Sequence, residues 1–242
     1  MNTKLFAVLA AGVLGAAVAQ ADAVESANIV GYQEITIPAG YSLFTVTFKD
    51  PTSATFDMRN IVPQVADKNK VYAQKCAADG SYTTLYNYRP DKLAWYQGIK
   101  ALSEAVPLFN GEALCFNNKY ENDVKLLVSG EVVVEPWSGA IPSGYTLVGN
   151  MTPVEIDLQD IIPYDIAETP SIVADKNKVY LQKCGPDGSY LTLYNYRPDK
   201  GQWYQGIKTV ERGTVVFAPG EAACLNNKYD TPIQLKFPAP IQ

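Results

Sequence analysis

Ala66-Asp67-Lys68-Asn69-Lys70-Val71-Tyr72 decides the fold, because it returns as Ala174-Asp175-Lys176-Asn177-Lys178-Val179-Tyr180. The match continues downstream. Asp79-Gly80-Ser81-Tyr82 returns as Asp187-Gly188-Ser189-Tyr190, Thr84 to Lys92 as Thr192 to Lys200, and Trp95 to Lys100 as Trp203 to Lys208. The offset stays at 108 across this block, and all but six of its 35 positions are identical. Self-similarity at a fixed spacing marks one structural unit used twice.

Outside the block the likeness thins but persists. Ile37-Pro38-Ala39-Gly40-Tyr41 answers Ile141-Pro142-Ser143-Gly144-Tyr145, and Gly111-Glu112-Ala113 with Cys115 answers Gly220-Glu221-Ala222 with Cys224. Asn117-Asn118-Lys119-Tyr120 answers Asn226-Asn227-Lys228-Tyr229. A deletion after Leu147 and an insertion around Tyr164 to Ser171 separate the copies. The joint falls near Ser129-Gly130 with no Pro/Ser/Gly-rich linker, so two domains are expected, residues 24–130 and 131–242. At about 105 residues each has the size to bury its own core.

Ahead of them, residues 1–23 read as a cleaved signal peptide. Lys4 gives a positive start, Leu5 to Val18 is apolar and small, and Ala19-Gln20-Ala21 and Ala21-Asp22-Ala23 are small-residue exit sites. The apolar stretch is shorter than the roughly 20 residues a membrane span needs, and no later run is long enough. The mature chain is therefore expected to be secreted, outside the cell or on its surface.

Period-two alternation dominates the repeats. Ser81 to Tyr88 sets Tyr and Thr on one face against Thr, Leu and Asn on the other, between the turn formers Asp79-Gly80 and Pro90-Asp91. Residues 70–76, 94–100, 112–116, 123–134, 29–37 and 41–48 read as further strands, and Phe56 to Ile61, closed by Pro63, as a short helical turn. The expected class is all-β: two tandem homologous β-sandwich or small-barrel domains, each with six or seven short strands and one helical turn. Each copy places two cysteines alike, which in an exported chain reads as a disulfide framework, Cys76 with Cys115 and Cys184 with Cys224.

Composition removes most chemistry. Histidine is absent, so no Ser-His-Asp or Cys-His pair and no histidine metal site exists. No Gly-rich phosphate loop precedes a helix. Paired carboxylates are the remaining enzymatic route, with Glu112, Glu221, Asp91 and Asp199 as nominees, but each has a simpler account as a strand-entry or turn residue. Asp67-Lys68-Asn69-Lys70 carries lysines where a calcium loop needs oxygens. A net charge of −5 without a basic cluster argues against nucleic acid. No catalytic residue, cofactor or metal is expected, and the chain is read as a non-enzyme.

The functional candidate is the repeated aromatic set: Tyr82, Tyr86, Tyr88, Trp95 and Tyr96 beside Arg89, and Tyr190, Tyr194, Tyr196, Trp203 and Tyr204 beside Arg197. Such rings suit sugar stacking and protein interfaces, and they also suit strand packing. The block is nearly unchanged between copies while its flanks have drifted, which points to a constraint shared by both.

Ser26-Ala27-Asn28-Ile29-Val30-Gly31-Tyr32, then Ile37 to Leu43, and the Gly-Glu strand entries at Gly111-Glu112 and Gly220-Glu221 give a resemblance across most of the mature chain. It resembles the exported all-β repeat proteins of the Verrucomicrobia–Lentisphaerae type. The resemblance implies a bacterial envelope or extracellular protein and assigns no site; Cys115 and Cys224, where those relatives often have phenylalanine, depart from it. The leading expectation is a self-assembling subunit of a filament or surface layer, joined head to tail, with Ser26 to Tyr32 of one chain completing the end of another at Ile233 to Phe237. The alternative is a tandem carbohydrate-binding protein with one Tyr/Trp site per repeat.

Overall fold

The computed structural model describes residues 30–49, 55–109, 111–132, 137–166, 171–185 and 187–238. The expected leader lies outside these residues. Repeat one opens with β1 (Val30–Ile37), β2 (Gly40–Thr45), β3 (Phe48–Lys49), β4 (Thr55–Asp57), β5 (Val62–Gln64) and β6 (Val71–Cys76). It continues with β7 (Tyr82–Arg89), β8 (Ala94–Gln97), β9 (Lys100–Ala101), β10 (Pro107–Phe109), β11 (Ala113–Asn118) and β12 (Val124–Val132). Repeat two has β13 (Trp137–Ile141), β14 (Gly144–Gly149), β15 (Ile156–Asp157), β16 (Ile162–Tyr164), β17 (Val179–Cys184) and β18 (Tyr190–Arg197). Its last strands are β19 (Gln202–Gln205), β20 (Lys208–Thr209), β21 (Val216–Phe217), β22 (Ala222–Asn227) and β23 (Ile233–Phe237).

The chain is all-β, and its strands lie in several small antiparallel sheets with a propeller-like disposition. Each repeat has a six-stranded sheet, β2-β11-β6-β7-β8-β9 in one and β14-β22-β17-β18-β19-β20 in the other. Each also has a smaller sheet that pairs its first strand with its last, β1 with β12 and β13 with β23. The helical turn expected at Phe56 to Ile61 is a 3₁₀ turn, Met58–Asn60, capped by Asp57, which accepts from Arg59 N. Asp157 caps its counterpart, Leu158–Asp160.

Alternation explains how the cores form. In β11, Leu114 and Phe116 point into repeat one with Phe44, Ala73, Tyr88 and Trp95, and meet Leu126 and Val128 of the β1–β12 sheet. Ala113 and Cys115 point the other way. Leu225, Tyr196, Trp203 and Leu235 build the matching core of repeat two.

Three expectations change. Residues 94–100 are a hairpin rather than one strand: Gln97 pairs with Lys100 around Gly98-Ile99, with Gly98 at φ 61°. A two-residue turn led by a positive-φ glycine is the type that matches strand twist. The last strand offers no vacant edge, because β23 is flanked by β13 and β16, and β1 is already paired with its own β12. A strand from another chain could join Ile233 to Phe237 only by displacing β13 or β16, and Ser26 to Ile29 of the expected donor segment lie outside the described residues. The expected within-repeat bridges are not formed either; all four cysteines are free thiols.

Candidate functional site

The repeated aromatic set is not a surface. Tyr88, Trp95, Tyr196 and Trp203 are almost wholly buried, at 2 % exposure or less. Each indole N–H donates to a main-chain carbonyl, Trp95 to Ile61 at 2.8 Å and Trp203 to Ile161 at 2.7 Å. Tyr86 and Tyr194 are half-buried against the same cores. Arg89 lies over the Tyr96 ring at 4.8 Å and Arg197 over Tyr204 at 4.9 Å. Tyr96 is half-buried in its pair, whereas Tyr204 is buried.

Tyr82 and Tyr190 do something else. In the β6–β7 ladder Gln74 stands opposite Leu85 and Cys76 opposite Tyr82, so two residues face three. This bulge turns Tyr82 away from the Tyr86–Tyr88 face, and repeat two has the same shift between Gln182 and Cys184. Tyr82 and Tyr190 thereby join Leu43, Ala113, Cys115, Leu147, Ala222 and Cys224 in a third apolar cluster, which lies between the repeats. Their hydroxyls approach to 3.5 Å.

That boundary is self-complementary. Thr45 N donates to Gly220 O at 2.8 Å, and Gly149 N, from the matching position, donates to Gly111 O at 3.0 Å. Phe44 bridges Glu221, and Val148 bridges Glu112. The ring of Tyr145 covers Gly80, and that of Tyr41 covers Gly188. Exchange of equivalent contacts is the signature of a two-fold, isologous interface; here two repeats of one chain make it.

The nominated carboxylates sit in ion pairs. Lys75 meets Glu112 and Lys183 meets Glu221, both at 2.7 Å, and each glutamate also accepts a main-chain N–H, from Phe109 or Ala218. Burial raises the Glu112 pKa, with Lys75 opposing it. Asp91 lies near Arg89, and Asp199 near Arg197 and Lys176. The Asp67-to-Lys70 loop is held by Tyr120, whose hydroxyl accepts from Asp67 N at 2.9 Å, and by Asn87, which donates to Asn69 at 3.0 Å. Among the described residues no cluster of three or more His, Cys, Asp or Glu is set to hold a metal.

Two features escaped the sequence. Ile99 and Ile207, at the tips of equivalent hairpins, are each 91 % exposed, and Leu93, at the other end of β8, is 79 % exposed. Gly98 and Gly206 were the available signal, since a glycine-led turn must push the next side chain to the tip. The second is a groove of about 250 Å³ in repeat two at the edge of the boundary, lined by Tyr145, Tyr180, Gln182, Leu193, Cys224, Asn226 and Lys228. No protein-family model, no curated protein and no solved structure matches the chain.

Proposed function

We propose that the protein is an exported, non-catalytic structural subunit that self-associates at a bacterial cell surface through two equivalent apolar hairpin tips. We read each repeat as a β-sandwich, its six-stranded sheet facing the smaller sheet built on β12 or β23. The observation that carries the proposal is the pair Ile99 and Ile207, both 91 % exposed at matching positions. The repeats join through β2, β11 and β6 and their counterparts, so β9 and β20 are the strands farthest from the joint in each sheet order. An isologous joint makes the two tips equivalent, and the tip sequences, Trp95 to Lys100 and Trp203 to Lys208, are identical. A partner surface that fits one tip fits the other, and a second copy of the chain supplies such a surface. The head-to-tail scheme thus gives way to tip-to-tip contact.

Burying an isoleucine stabilises by about 1.5–3 kcal/mol before the costs of association. Each contact is therefore weak, and assembly should depend strongly on concentration. Negative-stain microscopy and light scattering of the mature protein should show extended oligomers that are lost in Ile99→Asp/Ile207→Asp. Wild-type particles that stay single at high concentration would overturn the reading.

The carbohydrate-binding alternative keeps one supporting observation, the groove at Tyr180, Gln182 and Asn226, where an aromatic ring and two amides stand together. Glycan-array binding by monomeric protein, abolished by Tyr180→Ala, would favour it.

A further inference from the structure

The four cysteines surround the boundary between the repeats rather than pairing within them. Cys76 ends β6, and the residues after it run beside β14 of the other repeat. Tyr145 N donates to Ala78 O at 2.9 Å, and Gly144 packs so tightly on that carbonyl that a Cβ would overlap it. Leu147, two residues along β14, stands opposite Cys224. Cys76 is thereby carried toward Cys224, and both belong to the apolar cluster between the repeats. The matching strand, β17, ends at Cys184 and passes β2, where Leu43 stands opposite Cys115. Cys184 and Cys115 belong to the same cluster, at the positions that the isologous joint makes equivalent to Cys76 and Cys224.

Within a repeat the ladder sets the cysteines off register. Cys115 stands opposite Gln74, and Cys224 opposite Gln182. That makes Cys76–Cys115 and Cys184–Cys224 diagonal neighbours, typically about 7–8 Å apart. A disulfide needs Cβ atoms about 3.5–4.5 Å apart.

We propose that Cys76 with Cys224, and Cys115 with Cys184, form disulfides that clamp the two repeats together. The oxidant is a disulfide, either a small molecule or an exchange protein. A Cys224 thiolate attacks one sulfur of the donor, forming a mixed disulfide and releasing the other sulfur as a thiolate. Cys76 gives up its proton, attacks the Cys224 sulfur and releases the second donor thiolate. Two protein thiols lose two protons and two electrons, and the donor disulfide becomes two thiols. Cys115 and Cys184 react likewise.

Cys76 and Cys184 are half-buried, and Cys115 and Cys224 are buried. Cys224 lines the groove described above, and Cys184 lines a cleft of about 320 Å³ between the repeats. Hydrogen bonds from the Cys76 thiol and, less strongly, the Tyr190 hydroxyl lower the Cys224 pKa against its burial, which suits it to attack first.

The test uses full-length mature protein with a protease site inserted between Val132 and Trp137, equilibrated with oxidised glutathione and then cleaved. On a denaturing gel without reductant it should run at full mass, and with reductant it should split into two halves. Peptide mapping should recover Cys76 joined to Cys224 and Cys115 joined to Cys184. Halves that separate without reductant, or peptides joining Cys76 to Cys115, would overturn the proposal. The variant Cys76→Ser/Cys184→Ser removes one member of each pair and should separate without reductant; halves that remain joined would also overturn it.

Discussion

Tyr88 meets Trp95 edge-on with ring centroids 5.4 Å apart, and Tyr196 meets Trp203 at 5.3 Å. Within each pair one polar atom is satisfied and one is not. The indole N–H of each tryptophan reaches a carbonyl, whereas the hydroxyls of Tyr88 and Tyr196 are buried without a hydrogen-bond partner. Trp95→Phe should destabilise by about 1–3 kcal/mol, through the orphaned Ile61 carbonyl and the smaller ring. Tyr88→Phe should be neutral or stabilising by about 1 kcal/mol, because it removes a group that is desolvated and unpaired. Urea unfolding of the two variants checks the contrast, and equal losses would refute it. Glu112 gives a pH signature. Burial raises its pKa in the folded state, so between the ordinary glutamate value of about 4.3 and that raised value the native chain holds more protons than the unfolded one. Its contribution is intact below this window and falls away as pH rises through it. Thermal melts of Glu112→Gln should lack that decline, and parallel curves for mutant and parent would contradict the assignment.

At the scale of elements, alternation in the sequence foretold the strands but not which face every residue takes. Phe44, Leu114 and Phe116 follow the simple period into the core. Tyr82 does not, because the bulge opposite Cys76 adds a residue that no pattern in Ser81 to Tyr88 announces. The expected cysteine pairs fail to form for a separate reason, the register of β6 on β11, which sets Cys115 opposite Gln74: equal placement in both copies is visible in a sequence, whereas ladder register is a tertiary quantity. The block's near-identity also takes on physical content here. It supplies Trp95 and Tyr88 to one surface and Cys76, Gly80 and Tyr82 to another, so packing and the joint constrain it together. Glycines separate those demands. Gly144 and Gly206 both have positive φ, 91° and 60°, but only Gly144 abuts the other repeat; nothing lies within 4 Å of a Cβ built on Gly206. Gly206→Ala should cost about 1–2 kcal/mol, the ordinary penalty of a left-handed backbone. Gly144→Ala should cost at least about 2 kcal/mol more, since the Ala78 carbonyl must move and its bond from Tyr145 is lost. Similar losses in chemical denaturation would mean that the repeats do not meet as described.

For the molecule as a whole, a duplicated unit closed on itself by an isologous joint leaves two equivalent ends, and each carries one exposed isoleucine. Two ends allow growth; one end allows only pairing. In the proposed assembly the number of tips, rather than the total exposed apolar area, sets the outcome. Ile99→Asp keeps the Ile207 tip, so two such chains can meet once and then stop. Neither side chain belongs to the three buried clusters, so both variants should fold as the parent does. Sedimentation velocity across a concentration series decides the matter. Growth through two tips predicts open-ended assembly for the parent, dimers and nothing larger for Ile99→Asp or Ile207→Asp alone, and monomers for the double variant. A parent that remains monomeric throughout, or a single-tip variant that grows as the parent does, would contradict it.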